Sequence, residues 1–145
     1  MIIVNANEQF TGGRMKHRMS FGFFNKLSED VFEVVADEGV EITLEMIDEC
    51  HEFVDEFITG NFALLVNRIN TYSYSFEAKL SIASYEGLKA IAFVYYTSES
   101  KRAIDDLQDN RMMDNWNAKM FSGMELGWQQ AYDWLQQEMT ALKVN

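Results

Sequence analysis

Proline is absent from the 145 residues, where average usage of about 5% would supply roughly seven. Every turn must therefore rest on Gly, Asn, Asp and Ser chemistry. Cysteine occurs once, at Cys50, which excludes an internal disulfide and any cysteine-rich zinc module. No apolar run approaches the roughly 18 residues needed to span a bilayer. Met1-Ile2-Ile3-Val4 gives way at once to Asn5, Asn7 and Glu8, too short for the apolar region of a signal peptide, so the expected location is cytoplasmic. Basic charge is scarce as well: 12 Lys and Arg stand against 23 Asp and Glu, a net charge of −11. Such a chain repels phosphates, and nucleic acid is not an expected partner.

What is present suits a packed core. Hydrophobic residues make up 48% and aromatics 14%, too much for a disordered chain. The expectation is one domain over residues 1–145, with 1–18 an N-terminal extension or an extra strand marked by the Thr11-Gly12-Gly13 turn signal. Residues 19–24 and 31–36 read as a hairpin of two strands, joined by the polar stretch Asn25 to Asp30. Thr43 is placed to cap a helix whose apolar residues recur at Met46/Ile47, Cys50, Phe53/Val54 and Phe57/Ile58. Gly60 and Asn61 end it.

The runs 62–66 and 88–96 read as strands buried on both faces. A helix lies between them from Phe76 to about Ala83, another follows from Thr97, and residues 118–121 form a last short strand. Residues 124–139 close the chain as a helix. The predicted order is β-β-α-β-α-β-α-β-α, an α/β fold with a mostly parallel mixed sheet and packed helices.

Gly39-Val40-Glu41-Ile42-Thr43-Leu44-Glu45, the strand running into Asn67-Arg68-Ile69-Asn70-Thr71-Tyr72-Ser73, and Met120-Phe121 followed by Ala131-Tyr132-Asp133-Trp134-Leu135 resemble the SpoIIAA-like proteins over about residues 19–137. These are small bacterial proteins of STAS-like fold, related in shape to anti-sigma-factor antagonists and to Sec14-type lipid-binding domains. The resemblance implies a phosphoacceptor serine at the junction between the central strand and the next helix. Here that place holds Tyr72-Ser73-Tyr74-Ser75 instead of the Asp-Ser-Ser-Gly type of motif.

Candidate phosphoacceptors are therefore Ser73 first and Ser75 second, set against the plain role of a serine as helix N-cap. A phosphate here would have Arg68 within reach. Asn67, Arg68, Asn70, Tyr72 and Tyr74 follow the carboxyl end of a central strand, where α/β sheets usually bind ligands. They are candidates to line a groove for a partner or an anionic molecule, or else to serve the turn and its rim.

Cys50 and His51 diverge by about 100° on the helix and cannot form a nucleophile–base pair. No metal-ligand spacing, phosphate loop or catalytic motif is present, so no cofactor, metal or catalytic residue is expected. The Met and Trp residues between Met112 and Trp134 read as core, or as a surface for self-association or lipid. The twelve acids from Glu29 to Glu56 form a stretch without Lys or Arg, read as a solvated face or a dock for a basic protein.

The functional expectation is a non-enzymatic regulatory or protein-interaction module, with a small lipid or apolar-ligand carrier as the alternative. The candidate partners are an unidentified protein, a second copy of the chain as a homodimer, or a lipid.

Overall fold

The computed structural model describes residues 8–11, 14–82, 85–110 and 117–143. Nine strands are described: β1 Glu8–Thr11, β2 Arg14–Arg18, β3 Gly22–Lys26, β4 Val31–Ala36, β5 Glu41–Ile42, β6 Phe62–Arg68, β7 Ser73–Tyr74, β8 Leu88–Tyr95 and β9 Ala118–Ser122. Four α-helices accompany them: α1 Leu44–Phe57, α2 Phe76–Ser81, α3 Ser98–Asn110 and α4 Gly127–Lys143. The main sheet has the order β1-β2-β3-β4-β6-β8-β9, and β5 pairs with β7 in a small second sheet. Strands β1 to β4 form an antiparallel meander, while β4, β6, β8 and β9 run parallel.

The α/β class and mixed sheet agree with the pattern of the sequence, and three details differ. Residues 8–11 and 14–18 contribute two further strands, which extend the expected hairpin into a meander. The segment after the central strand contains β7, whose two residues pair with β5 in parallel. The last helix begins at Gly127, behind a 3-10 turn at Gly123–Glu125. Leu126 holds a left-handed backbone there, with φ of 62°. A Cβ on Gly127 would overlap the Ser122 carbonyl, so only glycine allows the chain to fold back this tightly.

Each parallel crossover from β4 through β9 steps the same way across the sheet, so crossovers of one hand place α1, α2 and α3 on one face. Alternation along β6 makes the division visible. Phe62, Leu64 and Val66 pack toward those helices, whereas Ala63 and Leu65 pack beneath α4. Small residues on the second face, namely Ala63, Ala90, Ala92 and Ala131, are fully or almost fully buried and let α4 lie close to the strands. Thr43 caps α1 as expected, its hydroxyl accepting from the Met46 N–H at 3.4 Å. The α1 face buries Ile47 and Val54, with the C-cap Ile58 below them. The acids of α1 line its outer side, where Glu49 accepts from the Ser20 N–H and hydroxyl and Asp55 from the Tyr85 hydroxyl.

Candidate binding site

A cavity of about 90 Å³ lies between α1 and the sheet. Ile47, Cys50 and Val54 of α1 form its roof, and Val34, Leu64 and Val66 its floor. Tyr72, Tyr74 and Ile42 close one end, where the β5–β7 pairing sets Ile42 opposite Tyr74. Tyr85 and Leu88 close the other. The lining is almost wholly apolar. A void of this size left empty costs about 2 kcal/mol at roughly 24 cal/mol per Å³. Helix α2 has only six residues, so the helical layer is thin beside this space.

At the tyrosine end sits Arg68. Its side chain follows Leu64 and Val66 on the same face of β6, and it is only 2% exposed. The guanidinium lies 3.9 Å from the Tyr72 ring centroid and 5.7 Å from that of Tyr74, within cation–π range of both. Its Nη2 donates to the Tyr72 carbonyl oxygen. Nε and Nη1 have no hydrogen-bond partner, and among the described residues Arg68 makes no ion pair. The two phenols meet edge to face with their oxygens 3.4 Å apart. Burial raises the pKa of both, Arg68 opposing the rise. Each therefore keeps its proton at neutral pH.

Cys50 faces the same space. Burial, with a smaller push from Glu49, raises its pKa to about 12. It is a thiol and not a thiolate near neutrality, a poor nucleophile and a good apolar wall.

The opposite face of the sheet holds a second polar group. Glu33, buried on β4, accepts from Asn25 Nδ2 at 2.8 Å, Asn67 Nδ2 at 2.9 Å and Trp128 Nε1 at 2.8 Å. Its carboxylate ties β3, β6 and the first turn of α4 to one point. Tyr96 stands near it, with its pKa raised by burial and then by Glu33, while Asn67 opposes the shift.

The sequence candidates therefore divide. Tyr72 and Tyr74 line the cavity, and Arg68 packs against both of their rings without lining it. Asn67 turns to the α4 face and serves Glu33. Asn70 donates to the Ala36 carbonyl at 2.9 Å and closes its loop. Ser75 caps α2 through the Ala78 N–H at 3.1 Å. Ser73 is exposed on β7, opposite Glu41. Phe121, Trp128, Tyr132 and Trp134 pack half-buried around the α4 core, while Met112, Met113 and Trp116 lie outside the described residues.

Sequence reasoning missed Glu33 and Trp128 as partners, although a carboxylate two positions from Val31 and Val35 in an otherwise apolar strand was a legible signal. It also missed the cavity, whose lining comes from seven separate elements and loops. Among the described residues no group of three His, Cys, Asp or Glu side chains is placed to hold a metal, and no described helix is long and apolar enough to cross a membrane.

Compared with protein-family models, curated proteins and solved structures, the chain finds no match in any of the three.

Proposed function

We propose that this chain is a non-enzymatic binding module that takes a small apolar molecule into the cavity beneath α1. The observation that carries the reading is the cavity itself, about 90 Å³ with an almost wholly apolar lining. An apolar cavity of about 150 Å³ stays dry and binds benzene, so a space somewhat smaller suits a molecule of a few carbons. The protonated state of Cys50 supports binding over nucleophilic chemistry. The resemblance to SpoIIAA-like, STAS-type proteins fits a regulatory role for such a ligand, and the Sec14-type relationship fits the apolar-carrier alternative.

The test uses the single thiol. Cys50 lines the cavity, so its alkylation by N-ethylmaleimide reports access to that space. Benzene near its solubility limit is expected to slow the reaction several-fold. An unchanged rate would contradict the reading.

A second reading has its own support. Ile69, Phe76 and Leu80 are 60%, 65% and 50% exposed, and Phe76 and Leu80 share one face of α2 at a spacing of four. These side chains beside the candidate site favour a protein-interaction module. Substituting Phe76 and Leu80 by Ser would then abolish capture of the partner and leave Cys50 protection intact.

A further inference from the structure

We infer that the carboxyl end of the parallel sheet docks a basic amphipathic segment of a partner protein, held by Ile69, Phe76, Met124 and Leu126. The inference rests on the protein-interaction reading above, names the chemistry of that partner, and makes no use of the cavity.

The connections decide what stands at this end. Strands β4, β6, β8 and β9 run parallel, so their carboxyl ends lie side by side. Ile69 follows β6 directly, and Met124 and Leu126 lie in the turn after β9. Phe76 opens α2, the helix that carries the chain from this end back toward the start of β8. The four side chains are 60%, 65%, 76% and 79% exposed, the highest values of any large aliphatic or phenylalanine side chain among the described residues. Single apolar residues scattered over a surface need no explanation, whereas four gathered at one end mark a contact. Leu126 sharpens the point. Its left-handed backbone, with φ of 62°, suits Gly or Asn better, yet the residue there is a leucine turned to solvent.

Charge selects the occupant. Exposed acids at this end are Glu38 and Glu41 ahead of α1, Glu45, Glu77 and Glu99 in the first turns of α1, α2 and α3, and Glu125 between Met124 and Leu126. Of the cations nearby, Arg18 is paired with Asp37 and Lys101 with Asp105, and Arg102 adds one more. The helix dipole accounts for acids in first turns, and their charge still makes this end negative. Phosphates of nucleic acid or anionic lipid are repelled here, whereas Lys and Arg flanking an apolar stripe are attracted. An amphipathic helix with leucine-type anchors and basic flanks meets both demands.

Two synthetic peptides of about 14 residues serve as probes, each with Leu on one helical face and with either Lys or Glu elsewhere. Titration of each into the uniformly 15N-labelled chain, followed at the amides of Ile69, Phe76, Met124 and Leu126, gives both affinities. The Lys peptide is expected to bind at least about tenfold more tightly than the Glu peptide. Met124→Ser combined with Leu126→Asn keeps the net charge and suits the left-handed backbone. It is expected to weaken the Lys peptide by about tenfold or more, because two large apolar contacts are lost. Leu142→Ser removes an exposed leucine at the opposite end of α4 and is expected to leave binding unchanged.

Glu-peptide binding as tight as that of the Lys peptide overturns the basic partner and leaves the interaction reading standing. Binding of neither overturns both. Lys-peptide binding that survives in the double variant, or falls as far in Leu142→Ser, overturns the assignment to this end of the sheet. The same spectra report whether each variant keeps the parent fold.

Discussion

Replacing Glu33 tests how the two faces of the sheet are joined. In Glu33→Leu the strand keeps an apolar side chain of similar bulk, but the N–H groups of Asn25, Asn67 and Trp128 lose their common acceptor. Leaving a buried donor unsatisfied costs about 1–3 kcal/mol. Asn67 is buried and bears the full penalty, whereas Asn25 and Trp128 are partly exposed and recover some of theirs from water. The sum is about 3–5 kcal/mol, a large share of the roughly 5–15 kcal/mol typical of a domain.

Removing a buried charge can itself be favourable when its partners are replaced together with it. Here the partners remain, so the penalty dominates. Glu33→Leu combined with Asn67→Leu is accordingly expected to recover part of the loss. Glu33→Gln keeps one acceptor oxygen and is expected to cost about 1–2 kcal/mol. Urea unfolding followed by tryptophan fluorescence measures these values. With a slope of about 1–3 kcal/mol/M, the Leu variant should lower the midpoint by about 2 M. A Glu33→Leu midpoint within about 0.5 M of the parent would refute the reasoning.

Other expectations concern separate parts of the molecule. Thr43→Ala removes the acceptor for the Met46 N–H and should cost about 1 kcal/mol of stability in the same assay. Gly22→Ala should be far worse, several kcal/mol or no soluble protein, because its Cβ would overlap the Val35 carbonyl within the β3–β4 ladder. The pH dependence follows from Cys50, whose folded pKa of about 12 lies above its ordinary 9.0. A raised folded value means that the native state holds the proton more tightly. Its contribution is therefore fully present below pH 9 and is lost as pH rises toward 12. Tyr72 and Tyr74 are shifted the same way and add to the alkaline loss. Cys50→Ala should flatten the decline of stability between pH 9 and 11, and an unchanged slope would count against the burial of the thiol.

The fold was legible wherever a single periodicity decided the element. Residues 31–36 are β4 as read, because a run rich in β-branched and aromatic residues flanked by turn residues has one reading. The Thr43 cap and the apolar recurrence of α1 were equally plain. The boundaries failed where tertiary packing decides. Gly127 starts α4 only because the preceding turn brings Ser122 against it, and β7 is a strand only because β5 lies beside it.

The candidate site was half visible. Chemistry and spacing singled out Arg68, Tyr72 and Tyr74, and they do converge. Which face Asn67 takes depended on strand register, for one residue separates the α1 side from the α4 side. The cavity could not be read at all, since a void is a property of facing elements and not of any segment. The acidic stretch hid Glu33 among surface carboxylates, although its neighbours in β4 are apolar.

The account's central claim is an apolar space beneath α1 that accepts a guest. Crystals of the protein pressurised with xenon test it most directly, because xenon enters dry apolar cavities and scatters strongly. The account predicts one well-occupied xenon atom between Ile47, Val54 and Leu64. Side chains closing that space, with no xenon in it, would contradict the claim.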